Sequence, residues 1–329
     1  MTKFDYEIDD FMCYCDSKKL SKKTKRSYEQ TLRLFAKYLK EEKGVESTKE
    51  VTTDMVREYI VYLRERGKYT VISNENSREW NNPQNRTDYS KQITNTTINN
   101  YIRNLKVYFN FMKDNYIIKN MPLEKVKSLK SERKKKVFIK DNEFYRLIKS
   151  LDTTKYVEYR DYIIILLVFD TGMRIGETLS IDMITDLDTE NRAITLKAEN
   201  TKGKTTRTVF FSVKMREELR RWIKFKDRYV ESRYLFPVQL RDKPLLVNNF
   251  EKNYKKYCER AGIEECSPHG LRNNFAKRFL MSGGDIYTLS RILGHSSVTV
   301  TEQCYLDLDD EDIRKNYQRY SPLSNLRRV

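Results

Sequence analysis

The chain has 329 residues, and its 64 Lys and Arg side chains outnumber 47 Asp and Glu side chains to leave a formal net charge of +17. This length predicts about two domains, each large enough for a hydrophobic core. The positive charge is typical of nucleic-acid-binding proteins, although ribosomal and membrane-surface proteins share it. The longest strongly apolar run, 162–169, is far shorter than the roughly 18 residues of a membrane span, which argues against a transmembrane protein. The acidic N-terminus does not predict a signal peptide.

Residues 1–121 are predicted to form a helical domain whose first helix begins near residue 21. Ser21 can cap this helix, apolar side chains recur along it at helical spacing, and Gly44 follows its end. Apolar stripes at the same spacing predict two further helices, around 55–63 and 98–112. A small helical bundle is therefore expected.

The segment between the last two predicted helices is polar. Residues 68–95 are rich in Asn and Ser and include Trp80. They are predicted to form a loop or an exposed hairpin inserted into the bundle. Thr96 and Thr97 follow as candidate N-caps of the third helix.

Two groups of cations are candidates for contact with phosphate groups. Lys22 and Lys23 lie at the entrance of the first predicted helix, where a merely solvated charged face is an equally good interpretation. The second group lies in the basic linker 122–140, which should stay extended unless a polyanion neutralises it, because like charges repel. A surface linker that only resists aggregation is the alternative. In the first interpretation, the contact with a nucleic-acid backbone is made through Arg133, Lys134, Lys135 and Lys136.

Residues 141–329 are predicted to be mainly helical with a small sheet. The run 162–169 predicts a buried helix. The segments 193–196 and 206–211 predict short strands, and a glycine-containing turn at 200–204 joins them. Such a hairpin projects lysines from its tip, which suits insertion into a groove of a duplex.

Three sequence motifs supply a candidate site. Both histidines of the chain occur near its C-terminal end, in SPHGLRNNFA (267–276) and ILGHSSVTVTEQCY (292–305), and a further arginine lies upstream in TGMRIGETLSI (171–181). In chain order these are the first motif (171–181), the second (267–276) and the third (292–305). The candidate site residues are Arg174, His269, Arg272, His295 and Tyr305. Two guanidinium groups, two imidazoles and a phenol are suited to attack a phosphodiester without a metal ion, because guanidinium binds phosphate oxygens in pairs and imidazole accepts protons.

The three motifs resemble those of the tyrosine recombinases, the phage integrase family of DNA strand-exchange enzymes. In the first motif an acidic residue, Glu177, follows the arginine by three positions, as in the family. HGLR resembles the H-x-L-R motif and LGH the L-G-H motif, and Tyr305 lies ten residues past His295. Asn273 stands where many relatives carry a third histidine, which is not part of the catalytic set. The resemblance implies a mainly α fold with a small antiparallel sheet, in which residues 1–121 form a core-binding bundle and 141–329 the catalytic domain.

The resemblance also implies roles for individual residues. Family members carry a catalytic lysine on the hairpin, for which Lys202 is the better match. Lys204 is the alternative, because a slip of one residue would exchange their directions. Glu177 is expected to orient other site residues. Lys204 and Arg207 are expected to contact DNA.

In the expected reaction Tyr305 attacks the phosphate. Its phenol, with a reference pKa near 10, is only about 0.1% ionised at pH 7, so it needs assistance. His269 is expected to take the proton. Arg174 and Arg272 are expected to bind the non-bridging phosphate oxygens, and His295 is expected to add a hydrogen bond. The hairpin lysine would protonate the leaving 5′-oxygen, and the product would be a 3′-phosphotyrosyl link, formed without a metal or cofactor.

The expected partner is double-stranded DNA with specific recombination sites, for integration, excision or resolution. Four protomers would meet in a synapse, and the free protein would be a monomer in the bacterial cytoplasm and on the nucleoid. The tail 306–329 would dock on a neighbouring subunit or be disordered. An inactive DNA-binding architectural factor and a topoisomerase similar to type IB are the alternatives. The five cysteines, at irregular spacing, predict reduced thiols.

Overall fold

The computed structural model describes residues 2–72, 85–131, 138–201, 205–264, 267–295 and 297–305, together with 314 and 317, and for residues 200 and 303–305 it describes the backbone alone. Over these residues the chain is mainly helical with small antiparallel sheets, so the predicted fold class is confirmed. The chain divides into two compact units, Met1–Arg133 and Lys134–Val329.

In the described part of the first unit, four α-helices surround an aromatic core. They are α1 (Lys3–Ser17), α2 (Lys22–Lys43), α3 (Thr53–Glu65) and α4 (Asn95–Asp114). Phe4, Phe11, Phe35 and Tyr108 are buried between them. The rings of Phe11 and Tyr108 meet edge to face with their centroids 5.4 Å apart, an arrangement that adds to the energy of their burial.

The first helix begins at Lys3, so the expectation that it begins near residue 21 is wrong. Thr2 caps α1 in a reciprocal arrangement: its hydroxyl accepts from the Asp5 amide at 3.2 Å, and the Asp5 carboxylate accepts from the Thr2 amide at 2.8 Å. The buried side chains of α1 recur at helical spacing, at Phe4, Ile8, Phe11 and Cys15. Acidic residues interleaved with them obscured this pattern in the sequence.

The predicted caps of α2 are confirmed, and those of α4 are not. Ser21 Oγ accepts from the Thr24 amide at 3.1 Å, and Gly44 ends α2 with φ +65°. At α4 the cap is Thr94, whose hydroxyl accepts from the Thr97 amide at 3.4 Å. Thr96 and Thr97 lie inside the helix, because an N-cap must precede the first turn.

The two ends of the predicted insertion 68–95 lie side by side. The Lys68 amide donates to the Lys91 carbonyl at 2.8 Å, and the Ser90 amide donates to the Lys68 carbonyl at 3.0 Å. Residues 73–84, with Trp80, lie outside the described part of the chain, so the loop or hairpin there stays a prediction.

The described second unit is built around one buried helix. Its helices are α5 (Asp141–Lys149), α6 (Tyr156–Thr171), α7 (Ile175–Leu179), α8 (Val213–Lys226), α9 (Val247–Arg260), α10 (Pro268–Met281), α11 (Ile286–Leu293) and α12 (Val298–Tyr305). The buried helix predicted at 162–169 is confirmed as part of α6, where Ile163, Ile164, Leu167 and Val168 are fully buried. Burial of this kind supplies most of the free energy that stabilises a unit.

Two small antiparallel sheets complete the second unit. β1 (Leu187–Asp188), β2 (Ala193–Leu196) and β3 (Arg207–Phe210) form one in that order, and β4 (Pro237–Val238) and β5 (Arg241–Pro244) form the other. The predicted hairpin strands are confirmed, with Leu196 paired to Arg207 at the end nearest the turn. On either side of residues 202–204, the Thr201 hydroxyl donates to the Thr205 carbonyl at 3.0 Å and accepts from the Thr205 amide at 3.2 Å.

The expectation of reduced thiols holds for two described cysteines and is wrong for a third. Cys13 and Cys15 are free, whereas Cys258 in α9 is disulfide-bonded. Spacing alone does not reveal which cysteines pair, so the sequence carried no signal for this bond. No helix among the described residues is long and apolar enough to cross a membrane.

Candidate active site

The first motif is positioned by a crowded glycine turn. Gly172 ends α6 with φ +67°, and a Cβ atom there would lie 2.3 Å from the Phe275 ring. The chain then enters α7, where the Arg174 amide donates to Glu177 Oε2 at 2.9 Å. Arg174 Nη1 donates to Glu177 Oε1 at 2.9 Å, and the side chain stays 29% exposed. Arg174 is thereby oriented and still accessible to a ligand.

Glu177 binds a second guanidinium. Its side chain is 2% exposed, and Arg207 donates to it in a bidentate pair, from Nη1 to Oε1 at 3.1 Å and from Nη2 to Oε2 at 2.7 Å. Burial acts to raise the pKa of this carboxyl, but the hydrogen bonds from Arg207 and Arg174 outweigh it and hold the pKa below its ordinary value. Glu177 therefore stays ionised at neutral pH.

Arg272 joins the three motifs. It lies on α10 in the second motif and is 3% exposed. Its Nη1 donates to the Gly172 carbonyl at 2.8 Å, and its Nη2 donates to the Leu293 carbonyl at 2.7 Å and lies 3.1 Å from His295 Nε2. Residues about a hundred positions apart in the chain thus meet at one guanidinium.

The ring of His295 is held from both sides. Because a guanidinium has only N–H donors, His295 Nε2 must accept from Arg272, and the proton of the neutral ring is assigned to Nδ1. Nδ1 then donates to Thr301 Oγ1 at 2.7 Å. Thr301 is a site residue that the sequence reasoning missed, since a threonine within VTVTEQ carries no local signal.

The remaining histidine and the tyrosine lie on neighbouring elements. His269 is exposed in the first turn of α10, three residues before Arg272. Ser267 caps that turn by accepting from the Gly270 amide at 3.1 Å. Tyr305 is the last residue of α12, four residues after Thr301, and its side chain lies outside the described part of the chain.

Most of the contacts predicted between lysine side chains and DNA stay predictions. Lys202 and Lys204 lie outside the described residues, as does the basic run with Arg133, Lys134, Lys135 and Lys136. Lys22 and Lys23 are exposed in the first turn of α2.

Arg207 does not fit the DNA contact expected of it. Its side chain is 11% exposed, and its donors are directed at Glu177 and at the Ile292 carbonyl. All three guanidinium nitrogens of Arg207 have partners within the protein, so a contact with DNA would break these hydrogen bonds. Among the described residues, no group of three or more His, Cys, Asp or Glu side chains is arranged to hold a metal ion.

Two family models match the chain. The model described as the phage integrase family matches residues 137–312, which is more than half of the chain. The model described as the phage integrase N-terminal SAM-like domain matches residues 8–77.

Curated relatives and solved structures agree with these matches. Tyrosine recombinase XerC of Thermodesulfovibrio yellowstonii is 27% identical over 244 residues, which cover 71% of this chain and 78% of the relative. XerC of Listeria monocytogenes serotype 4a is 24% identical over 319 residues, covering 95% and 96%. The Tn1549 transposon integrase, in complex with a circular intermediate DNA, has a TM-score of 0.70 at 19% identity and covers 97% of this chain and 100% of its own. A lambda integrase dimer bound to a COC′ core site has a TM-score of 0.69 at 13% identity, covering 94% and 97%. The solved structures share the fold described above.

Proposed function

Since this chain belongs to the phage integrase family and is a tyrosine-type site-specific recombinase that cleaves and rejoins DNA, we propose that Tyr305 is its nucleophile, that Arg174, Arg272 and His269 activate the phosphate and the phenol, and that His295 supports this set through its hydrogen bond with Arg272. The observation that carries this assignment is the set of hydrogen bonds made by Arg272 to Gly172, Leu293 and the His295 ring. These contacts join Arg272 to the backbone two residues before Arg174 and to the histidine of the third motif, which supports the assignment.

The two arginines bind the non-bridging oxygens of the scissile phosphate. Arg174 offers an accessible guanidinium that Glu177 already orients, and buried Arg272 is fixed by two backbone carbonyls. Donors held in place before the substrate arrives need no reorganisation, and removing one such donor costs about 3 to 4 kcal/mol in other enzymes. The arginines therefore stabilise the charge that develops on phosphorus.

Two proton transfers complete the step. Ionising Tyr305 fully at pH 7 would cost roughly 4 kcal/mol, so His269 takes the phenol proton as the oxygen attacks. The bond from phosphorus to the 5′-oxygen breaks, and Lys202, or Lys204 in its place, protonates that oxygen. The resulting 3′-phosphotyrosyl link is reversed when the 5′-hydroxyl of another strand attacks it.

The substrate is DNA, which the net charge of +17 attracts. Specific recombination sites, a synapse of four protomers, a free monomer and a place in the bacterial cytoplasm belong to the proposal. Support comes from the XerC relatives, which are bacterial recombinases, and from the lambda integrase dimer on its core site.

Covalent capture tests the nucleophile. The full-length protein is incubated with a pool of nicked duplexes of randomised sequence, in which cleavage releases a short strand and traps the intermediate. The unmodified protein should form a denaturant-resistant adduct, and Tyr305→Phe should form none. Tyr287→Phe, which alters an exposed tyrosine of α11, is the matched control and should keep the adduct. Sequencing of the attached DNA should reveal one preferred site.

Other results would contradict the proposal. DNA binding without any adduct would favour the architectural factor. Adducts at unrelated sequences, together with relaxation of supercoiled plasmid, would favour the topoisomerase. An adduct retained by Tyr305→Phe would place the nucleophile elsewhere.

A further inference from the structure

The guanidinium of Arg207 joins two of the motifs from behind. Its Nη1 and Nη2 bind the Glu177 carboxylate of the first motif, at 3.1 and 2.7 Å. Its Nε donates to the Ile292 carbonyl of the third motif at 3.0 Å. All three nitrogen atoms of this guanidinium therefore have partners within the protein.

The third motif leaves room for this side chain. Gly294 has φ +63°, and a Cβ atom there would lie 2.8 Å from Arg207 Nε and 2.9 Å from its Cζ. That approach is closer than any side chain allows. The glycine of the L-G-H sequence thus lets Arg207 lie directly against the backbone that leads to His295.

Arg207 also stands at the base of the lysine hairpin. It is the first residue of β3 and pairs with Leu196 of β2. Just beyond it, two hydrogen bonds join Thr201 and Thr205. Whatever holds Arg207 therefore holds the described end of the strand pair, next to which both candidate lysines follow in the sequence.

We propose that Arg207 is a positioning residue, which fixes the lysine-bearing hairpin against Glu177 and the third motif so that the lysine reaches the leaving oxygen. This role rests on the proposed function. Only arginine provides a planar fork that binds a carboxylate with two donors while a third donor reaches a carbonyl, so lysine cannot replace it. A DNA contact by Arg207 would instead strip Glu177, a buried carboxylate, of two hydrogen bonds.

The test compares two leaving groups on the site identified by covalent capture. In one substrate the bridging atom is the natural 5′-oxygen, and in the other it is sulfur. In both, the phenol oxygen forms a bond to phosphorus, the bond from phosphorus to the bridging atom breaks, and that atom takes the electron pair. A thiolate, with a reference thiol pKa near 8.5, leaves without a proton, whereas an alkoxide needs one from the hairpin lysine.

Arg207→Lys should lower the cleavage rate of the oxygen substrate by at least about 100-fold, the lower end of what a placed general acid contributes. Cleavage of the sulfur substrate should be largely restored, as for the alanine variant of whichever lysine, Lys202 or Lys204, protonates the oxygen. Arg272→Ala is the contrasting variant, because loss of a phosphate-binding group should slow both substrates alike. Equal losses of Arg207→Lys on both substrates, or no loss on either, would overturn the positioning role.

Two controls separate this outcome from others. If the unmodified protein forms no adduct with either substrate, the proposed function itself fails and the positioning role fails with it. If the melting curve shows that Arg207→Lys does not fold, Arg207→Gln decides, since it removes the bidentate pair with Glu177 and leaves the third motif unaltered. Arg207→Gln should show the same recovery on sulfur, and equal losses on both substrates would overturn the proposal.

Discussion

At the scale of single residues, the site depends on one buried carboxylate shared by two guanidinium groups with different tasks. Arg207 gives all its nitrogens to the protein, whereas Arg174 keeps an exposed face beside the same carboxylate. A buried charge is tolerated only when it is paired and hydrogen-bonded. Glu177 therefore both holds Arg207 in place and orients the Arg174 side chain.

Glu177→Gln should make the free energy of unfolding less dependent on pH in the acid range. The pKa of Glu177 is lowered from 4.5 in the folded protein, so its ionised form contributes stability above that pH. The contribution is lost as the pH falls through the lowered folded pKa. Urea unfolding in a Trp80→Phe background, where Trp222 reports the second unit, should show a smaller fall in the free energy of unfolding between about pH 7 and about pH 3 for the variant. Glu259→Gln on α9 is the exposed control, and a variant as acid-sensitive as the parent would contradict the expectation.

At the scale of elements, glycines with positive φ place two of the three motifs. Gly172 turns the chain from α6 into the first motif, and Gly294 turns it from α11 towards His295. Both are crowded, the first by the Phe275 ring and the second by Arg207. These corners need a left-handed backbone and also the absence of a side chain.

Gly172→Ala should destabilise the second unit more than Gly262→Ala does. Gly172 and Gly262 have φ of +67° and +66°, but a Cβ atom at Gly262 would meet only Arg146 Nη1 at 3.8 Å. The left-handed backbone alone costs about 1 to 2 kcal/mol with alanine. Overpacking against Phe275 adds about 1 to 3 kcal/mol at Gly172. Urea unfolding followed by Trp222 fluorescence measures both losses, and equal losses would show that the ring gives way at no cost.

Local signals predicted most of the elements, with α1 and the cap of α4 as exceptions, and long-range contacts accounted for the misses within the site. Ser21 and Gly44 belong to residue types that commonly cap helices, so both caps could be predicted locally. The run 193–196 likewise predicts a strand with the observed bounds. The inward turn of Arg207 depends on a carbonyl 85 residues away, and the role of Thr301 depends on the fold around His295. No local pattern encodes such partners, because a basic residue at the start of a strand looks alike whether it faces solvent or a carboxylate.

At the scale of the whole molecule, the residues on either side of the basic run 133–136 are each held by contacts within their own unit. On one side Asn99 Nδ2 donates to the Leu129 carbonyl at 2.9 Å, and Asn95 Nδ2 donates to the Lys130 carbonyl at 2.8 Å. On the other side the Lys277 ammonium lies 4.5 Å from the centre of the Phe138 ring. The stretch between these borders carries the cations expected to bind DNA.

Replacing Lys134, Lys135 and Lys136 by alanine should weaken DNA binding and make it less sensitive to salt. Each cation that binds a phosphate adds about 0.9 to the slope of log affinity against log salt, so removing all three lysines should lower that slope by about 2.7. Titrations by fluorescence anisotropy at several salt concentrations measure the slope. The control replaces Arg220, Arg221 and Lys224 of α8, exposed cations with the same total charge. Equal slopes for the two triple variants would show that net charge alone is at work.

Because Arg207 lies against Gly294, the substitutions tolerated at position 294 depend on the residue at position 207. A side chain can enter at 294 only if the guanidinium at 207 withdraws or shrinks, because the two would occupy the same space. A smaller residue at 207, by contrast, meets no clash with Gly294. Descendants of this chain should therefore gain a side chain at 294 only where the residue at 207 has already become smaller.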